Sequence, residues 1–270
     1  MGSIDGALLD FKRMERLAAG ETALHRLDPR AKLLATFVFI GIVISFDNYA
    51  VTALTPFFIF PVVMATLGGL PPRYLIRKIA LLSPFALVVG LFNPLFDREV
   101  LLQLGGIGIT GGWLSFASIA LRALLTISSA LILVGVTGFT PLCRALEQLG
   151  TPRLFVVQLL FLYRYLFILT DEGIRLSRAR GLRSFGGRGL GIGSFAPLVG
   201  HLLLRTWSRA ERIHGAMLAR GFSGEFHPSR ECRFGAKELL FLGGWSALFV
   251  ILRLYNLPQL LGTLVTGIQP

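Results

Sequence analysis

Charged side chains are scarce in this sequence, making up 16% of its 270 residues, whereas soluble proteins average about a quarter. Hydrophobic residues reach 53% and the mean hydropathy is +0.67, which excludes an ordinary water-soluble globular domain. Apolar runs long enough to cross a bilayer recur along the chain. The sequence therefore predicts an all-α, polytopic membrane protein with about five transmembrane helices and a cytoplasmic pair of long amphipathic helices.

Cysteine is nearly absent, since Cys143 and Cys232 are the only two and form no CxxC pair. This excludes a disulfide framework and a structural zinc site. The four histidines have no HxxxH or HExxH spacing, although a metal site formed by residues distant in sequence stays open. G-x-S-x-G and Walker sequences are missing, so we expect no catalysis and no cofactor on this chain. The glycine-rich stretch 105–112 is expected to be a flexible external turn.

The net charge of +12 would suit a nucleic-acid partner in a soluble protein, but beside membrane spans it indicates arginines that hold cytoplasmic loops inside. We therefore predict no nucleic-acid partner. The loop 71–78 carries three positive charges and no negative one, which places it and the N-terminus in the cytoplasm. The predicted spans are about 33–46, 48–72, 79–96, 113–139 and 238–255.

Three details of these spans can be read from single residues. Asp28 can cap the first membrane helix, with Pro29 at its first position. This entry is either only a well-capped helix or also a subunit contact. Pro56 and Pro61 should bend the second span. Arg122, inside the fourth span, is expected to reach the outer interface or contact another helix rather than to be functional.

The region 140–235 contains 14 arginines and no lysine against six acidic residues, a net charge of +8. Such a basic segment should stay inside, so we predict that 154–170 lies along or dips into the membrane rather than crossing it. The resulting domains are 1–139 with four transmembrane helices, 140–236 as a cytoplasmic region, and 237–270 with the last transmembrane helix and tail.

One tripeptide occurs twice in the basic region, as Ala179, Arg180 and Gly181 and as Ala219, Arg220 and Gly221. We call these the first and second tip motifs, because each is predicted to end a long helix at its glycine. The second helix is expected over about 194–220. Arginines at helical spacing support the two motifs: Arg175 and Arg178 in the first helix, and Arg209 and Arg212 in the second. Ordinary helix capping or binding to anionic lipid would also explain such arginines.

At these motifs the chain resembles the transmembrane T components of energy-coupling factor (ECF) importers, the CbiQ family. The resemblance is strongest over 25–33, which contains Leu27-Asp28-Pro29-Arg30-Ala31-Lys32-Leu33, and over 178–181 and 216–222, which contain the two tip motifs. The string Ser223-Gly224-Glu225-Phe226-His227 is similar to the metal-transporting branch. Cobalt is therefore the favoured cargo, although the nickel and vitamin branches share these motifs.

The resemblance implies a prokaryotic inner-membrane importer in which this chain couples other subunits and is not an enzyme. Two CbiO-like ABC ATPase subunits would bind ATP and Mg, and they would also bind the two tip motifs. A CbiM-like membrane subunit would bind the transported cobalt, and the family allows a small accessory membrane subunit. Membrane lipid is the remaining partner. Two other classes stay open: a basic amphipathic membrane scaffold and a lipid-acting membrane enzyme.

Overall fold

A computed structural model of the chain describes residues 13–47, 50–93, 100–104, 107–183, 192–222 and 235–255. The predicted all-α class is confirmed, with one short β-hairpin added to it. The described residues divide into two compact units. The first unit comprises 13–145 with 235–255, and the second comprises 146–222.

Helices make up almost all of the first unit, in which residues 13–18 are also helical. Its elements are α1 (Ala23–Arg26), α2 (Pro29–Ile44), α3 (Val51–Leu54), a 3₁₀ turn (Thr55–Phe58), α4 (Ile59–Leu67), α5 (Pro72–Leu91), β1 (Val100–Leu104), β2 (Ile107–Thr110), α6 (Gly111–Thr137), α7 (Phe139–Gln148) and α10 (Ala236–Leu254). The chain passes along α7 into the second unit, which contains α8 (Arg153–Arg183) and α9 (Ile192–Ala219).

The start of α2 confirms the predicted cap. Asp28 is 2% exposed, and its Oδ1 accepts a hydrogen bond of 2.9 Å from the backbone N–H of Arg30. Pro29 occupies the first helical position, where its missing N–H leaves nothing unpaired. His25 lies just before this cap and contacts the Thr22 hydroxyl at 2.7 Å and the Leu17 carbonyl at 3.0 Å. His25 therefore has a structural role in ordering the entry to α2.

The second apolar run is interrupted, as its prolines predicted. Regular α-helix stops after Leu54, the 3₁₀ turn contains Pro56, and α4 then resumes with Pro61 inside it. Proline lacks the N–H that would continue the α-helical ladder, which accounts for the tighter turn at this point.

The hairpin β1–β2 replaces part of the predicted flexible turn. The strands pair antiparallel, with Val100 opposite Thr110 and Leu104 opposite Ile107, while 105–106 lie outside the described residues. The expectation is therefore wrong for 107–112, because 107–110 form a strand and Gly111 and Gly112 begin α6. The alternating isoleucines of β2 favour extended structure, and this outweighed the glycines between them.

Aromatic side chains form the centre of the first unit. Phe39 of α2 lies 4.6 Å from Phe60 of α4 and 5.3 Å from Phe249 of α10, measured between ring centroids. Trp245 packs edge-on against Phe60 at 4.9 Å. Phe39, Phe60 and Phe249 are at most 1% exposed, so this cluster joins α2, α4 and α10.

Substituting Phe249→Ala is expected to destabilise the first unit by about 3 kcal/mol, because four aromatic neighbours lose their contacts around a cavity. Thermal unfolding of the detergent-purified protein measures the effect. Leu240→Ala is the control, since Leu240 lies on the same helix but is 74% exposed. Equal losses of stability in both variants would contradict the packing described here.

Two arginines hold the connection between α2 and α3. Arg122 of α6 donates a hydrogen bond to the Asp47 carbonyl, which lies in the connection after α2 and not in another helix. Arg253 of α10 donates to the Ser45 carbonyl at 2.8 Å and lies 4.0 Å from the centre of the Phe46 ring. The Arg253 bond satisfies the carbonyl of the C-cap residue of α2, and the Asp47 carbonyl also accepts a bond of 3.1 Å from the Ala50 N–H.

Two helices of the described residues are long and apolar enough to span a membrane: α6, and α8 over Arg153–Leu182. Residues Val51–Leu67 form a shorter apolar helical stretch. Helices occupy all five of the predicted spans, while the number of crossings stays a prediction.

Candidate partner-binding site

The second unit consists mainly of two long helices, α8 and α9. The predicted helix 194–220 is confirmed, since α9 covers Ile192–Ala219. In contrast, α8 is one continuous helix of 31 residues that joins the apolar stretch 154–170 to the charged stretch 171–183. Only 6% of its most apolar 18 residues are buried within the chain. Most of this apolar surface is thus available to lipid or to another subunit.

Each helix changes from mostly apolar to charged sequence partway along its length. In α8, residues 154–170 are mostly apolar and carry one charged side chain, Arg164, whereas acidic residues follow at Asp171 and Glu172. In α9, the apolar part ends at Leu204, and charge begins at Arg205. The two changes occur near the point where the helices contact each other.

That contact is an ion pair. Arg205 Nη1 of α9 lies 2.6 Å from Glu172 Oε1 of α8, and the Glu172 side chain is only 19% exposed. With a rise of about 1.5 Å per residue, Arg180 lies about 12 Å along α8 from this pair. Arg220 lies roughly 22 Å along α9 from it. Neither residue of the pair was predicted as a site residue, because their separation of 33 positions gives no periodic signal.

The second tip motif ends α9 as predicted. Gly221 has a φ of +78°, which glycine adopts without steric cost. The Phe222 N–H donates to the Met217 carbonyl at 3.0 Å, and the Gly221 N–H donates to the Leu218 carbonyl at 3.0 Å. This pair of bonds is a Schellman motif, which fixes the last turn and leaves Arg220 exposed at its end.

The first tip motif does not end its helix, and here the prediction is wrong. Ala179, Arg180 and Gly181 lie within the last turns of α8, which continues to Arg183. Leucine and arginine are good helix formers, so Leu182 and Arg183 extend the helix past a glycine that permits a stop but does not impose one. Ala179 is exposed, and Arg180 is half-buried and makes contacts of its own.

The four supporting arginines fall into two separate sets. Arg175 and Arg178 are exposed on the turns of α8 just before the first tip motif. Arg209 and Arg212 instead line a groove beside the ion pair, eleven and eight residues before Arg220. Only the α8 pair therefore lies next to a tip motif.

The groove lies between α8 and α9 and has a volume of about 430 Å³. Its walls combine apolar and basic side chains. They are Leu169 and Glu172 of α8 and Leu204, Arg205, Thr206, Ser208, Arg209 and Arg212 of α9.

Within the described ranges, no three histidine, cysteine or acidic side chains come together as metal ligands. Cys143 of α7 is buried, and burial raises the pKa of its thiol, which disfavours the thiolate that a metal would need. Cys232 lies outside the described residues.

Comparison with known proteins identifies the family of this chain. The sequence pattern of the CbiQ family, described as cobalt transport protein, matches residues 20–231. The cobalt transport protein CbiQ of Salmonella typhimurium is 32% identical over 157 residues, covering 53% of this chain and 69% of that protein. The energy-coupling factor transporter transmembrane protein EcfT of Streptococcus thermophilus is 31% identical over 236 residues, covering 77% and 84%.

The EcfT protein of Lacticaseibacillus paracasei is 28% identical over 264 residues, covering 91% of this chain and 99% of that protein. The family match includes the capped entry to α2, the ion pair between α8 and α9, and both tip motifs. This chain belongs to the CbiQ family of transporter membrane components.

Proposed function

We propose that this chain is the coupling subunit of an ECF-type ABC importer, passing ATP-driven motion of two CbiO-like ATPase subunits to a CbiM-like substrate-binding membrane subunit. The observation that carries the proposal is the end of α9, where a fixed turn presents the exposed Arg220. A guanidinium stays charged and forms forked bonds with carboxylates, so a rigidly held arginine suits an acidic groove on another protein.

The ion pair explains how two tips can act together. Glu172 and Arg205 join α8 to α9 at one point, and the tip arginines lie on unequal arms of about 12 and 22 Å beyond it. A displacement of one tip would therefore reach the other helix through this contact. The exposed apolar half of α8 would carry the motion to lipid-embedded partners.

Cobalt is the proposed cargo because the Salmonella relative is named a cobalt transport protein and the family carries the same description. The other relatives are named without a cargo, so a nickel or vitamin importer is the alternative. We assign selectivity to the substrate-binding subunit and nucleotide binding, with ATP and Mg, to the ATPases. A small accessory membrane subunit is compatible with this assembly.

The proposal places the chain in a prokaryotic inner membrane, with the N-terminus and both tip motifs in the cytoplasm. The regions 1–139 and 237–270 would hold the transmembrane helices, and 140–236 would be the coupling region. A basic membrane scaffold would need no ATPase, and a lipid-acting enzyme would need reactive side chains near the membrane surface. The test below separates these functions.

Single cysteines at Ala179 and Ala219, in a background with Cys143→Ser and Cys232→Ser, test orientation and partner contact together. Both alanines are exposed. We expect a membrane-impermeant maleimide to label them in inside-out vesicles but not in right-side-out ones. Co-expression of the ATPase subunits should reduce that labelling about tenfold.

Gln148→Cys is the matched control, because Gln148 is exposed at the end of α7 and precedes both tip motifs by 31 residues or more in the sequence. It should be labelled from the same side with and without the ATPases. Labelling of the tip cysteines from the outer side, or no protection by the ATPases, would overturn the proposed function.

A further inference from the structure

We propose that the groove between α8 and α9 binds the headgroup of an anionic phospholipid. Arg205, Arg209 and Arg212 follow one another at spacings of four and three residues and therefore lie on one face of α9. Glu172 pairs with Arg205. With one acid and three arginines in its lining, the groove has a net charge of +2.

Because Arg205 is paired with Glu172, the net charge of +2 comes from Arg209 and Arg212. Both are exposed, and neither forms an ion pair with any residue in the part of the chain that the structure describes. Glu211, which lies between them in sequence, accepts a hydrogen bond of 2.8 Å from Trp207 Nε1. The hydroxyls of Thr206 and Ser208 bond to carbonyls of their own helix. Two guanidinium groups are thus left to bind an anion.

The position of the groove favours a lipid over an acidic protein. It lies where apolar sequence gives way to charged sequence in both helices, at Leu169 and Glu172 of α8 and at Leu204 and Arg205 of α9. A helix that passes from the hydrocarbon core of a membrane into water makes this change at the level of the lipid headgroups. The apolar side is uncovered, since Leu203, Leu204 and Trp207 are each at least 65% exposed.

A phospholipid complements both parts of this surface. Its phosphate would lie between Arg209 and Arg212, where each guanidinium can form forked bonds, and its acyl chain would follow the leucines. This site is separate from the tip motifs, since Arg209 and Arg212 lie about 17 and 12 Å from Arg220 along α9, and Glu172 lies about 12 Å from Arg180 along α8. Its failure would therefore leave the proposed ATPase contact unaffected.

Native mass spectrometry of the full chain in detergent tests the proposal, with phosphatidylglycerol and phosphatidylcholine of identical acyl chains as probes. We expect phosphatidylglycerol to bind at least about tenfold more tightly. A surface arginine contributes roughly fivefold to anionic-lipid binding, so Arg209→Gln with Arg212→Gln should weaken phosphatidylglycerol binding about 20-fold. Phosphatidylcholine binding should not change.

Arg175→Gln with Arg178→Gln is the matched control, because it removes the same charge from exposed positions outside the groove. It should retain most of the selectivity. Arg209→Lys with Arg212→Lys keeps the charge and should restore at least half of the binding, which guards against a folding defect.

Four outcomes would overturn the proposal. The first is equal binding of the two lipids to the unmodified chain, and the second is an equal loss in the groove and control variants. The third is competition by millimolar inorganic phosphate as effective as that of the lipid, which would assign the site to free phosphate. If the groove variant keeps lipid selectivity but loses ATPase co-purification, the groove instead belongs to a protein partner.

Discussion

Replacing Arg180→Ala together with Arg220→Ala is expected to abolish co-purification of the ATPase subunits and to reduce metal uptake to background, while the chain stays in the membrane. Removing one member of a buried, hydrogen-bonded charge pair typically costs about 2–5 kcal/mol of binding free energy. Two such losses at about 2 kcal/mol each weaken the complex roughly a thousandfold. Pull-down from detergent and uptake of radioactive cobalt by cells measure the two effects.

Each single variant should lose less ATPase capture and less metal uptake than the double variant. Two tips that engage two ATPase subunits form a bivalent attachment, in which either contact keeps the other partner close. We therefore expect each single variant to retain part of the co-purified ATPase and part of the uptake. Arg220→Ala should have the larger effect, because Arg220 is exposed whereas Arg180 is half-buried among contacts within the chain.

Arg13→Ala with Arg16→Ala is the control, since both arginines are exposed in the first unit and the change in charge is the same. It should leave ATPase capture unchanged. A membrane scaffold predicts the reverse result, in which the tip variant releases the chain from lipid and ATPase capture depends only on total charge. Full capture by the double variant would exclude the tip motifs as the contact.

Features set by local chemistry were predictable from the sequence. Asp28 before Pro29 specified the start of α2, and the prolines at 56 and 61 specified an interruption of the second apolar run. The end of α9 followed from Gly221 in the same way. In each case the residues that determine the structure lie within one turn of the feature itself.

Features set by distant contacts were not predictable. The ion pair of Glu172 with Arg205 depends on how α8 crosses α9, and the groove beside it exists only because of that crossing. The Asp47 carbonyl accepts a hydrogen bond from Arg122 across 75 positions, whereas the sequence predicted only the outer interface or a contact with another helix for Arg122. The family resemblance identified both tip motifs but did not indicate that Gly181 and Gly221 have different backbone conformations.

That difference between the two glycines leads to a second large effect. Gly221 has a φ of +78° and ends α9, whereas Gly181 lies inside α8 with no atom within 4 Å of where a Cβ would be. An L-residue in the left-handed region costs about 1–2 kcal/mol. Alanine in place of a glycine within a helix instead gains roughly 0.5–1 kcal/mol. The same substitution should therefore have opposite effects in two identical tripeptides.

Gly221→Ala is expected to open the last turn of α9, so that hydrogen exchange of the amides at 221 and 222 becomes about tenfold faster. Gly181→Ala should slow exchange in the last turns of α8 by severalfold. Hydrogen-exchange mass spectrometry of the purified chain measures both changes, which are local and need not alter global stability. Gly221→Asn provides the control, because asparagine tolerates the left-handed conformation better than alanine and should restore part of the protection.

The same variants connect this turn to ATPase capture. If the Schellman motif holds Arg220 in place, Gly221→Ala should weaken ATPase co-purification even though it leaves every charge unchanged, and Gly221→Asn should recover part of it. Faster exchange in Gly221→Ala with undiminished capture would show that Arg220 acts from a flexible end. Equal changes in exchange for the two alanine variants would contradict the different backbone conformations of the two glycines.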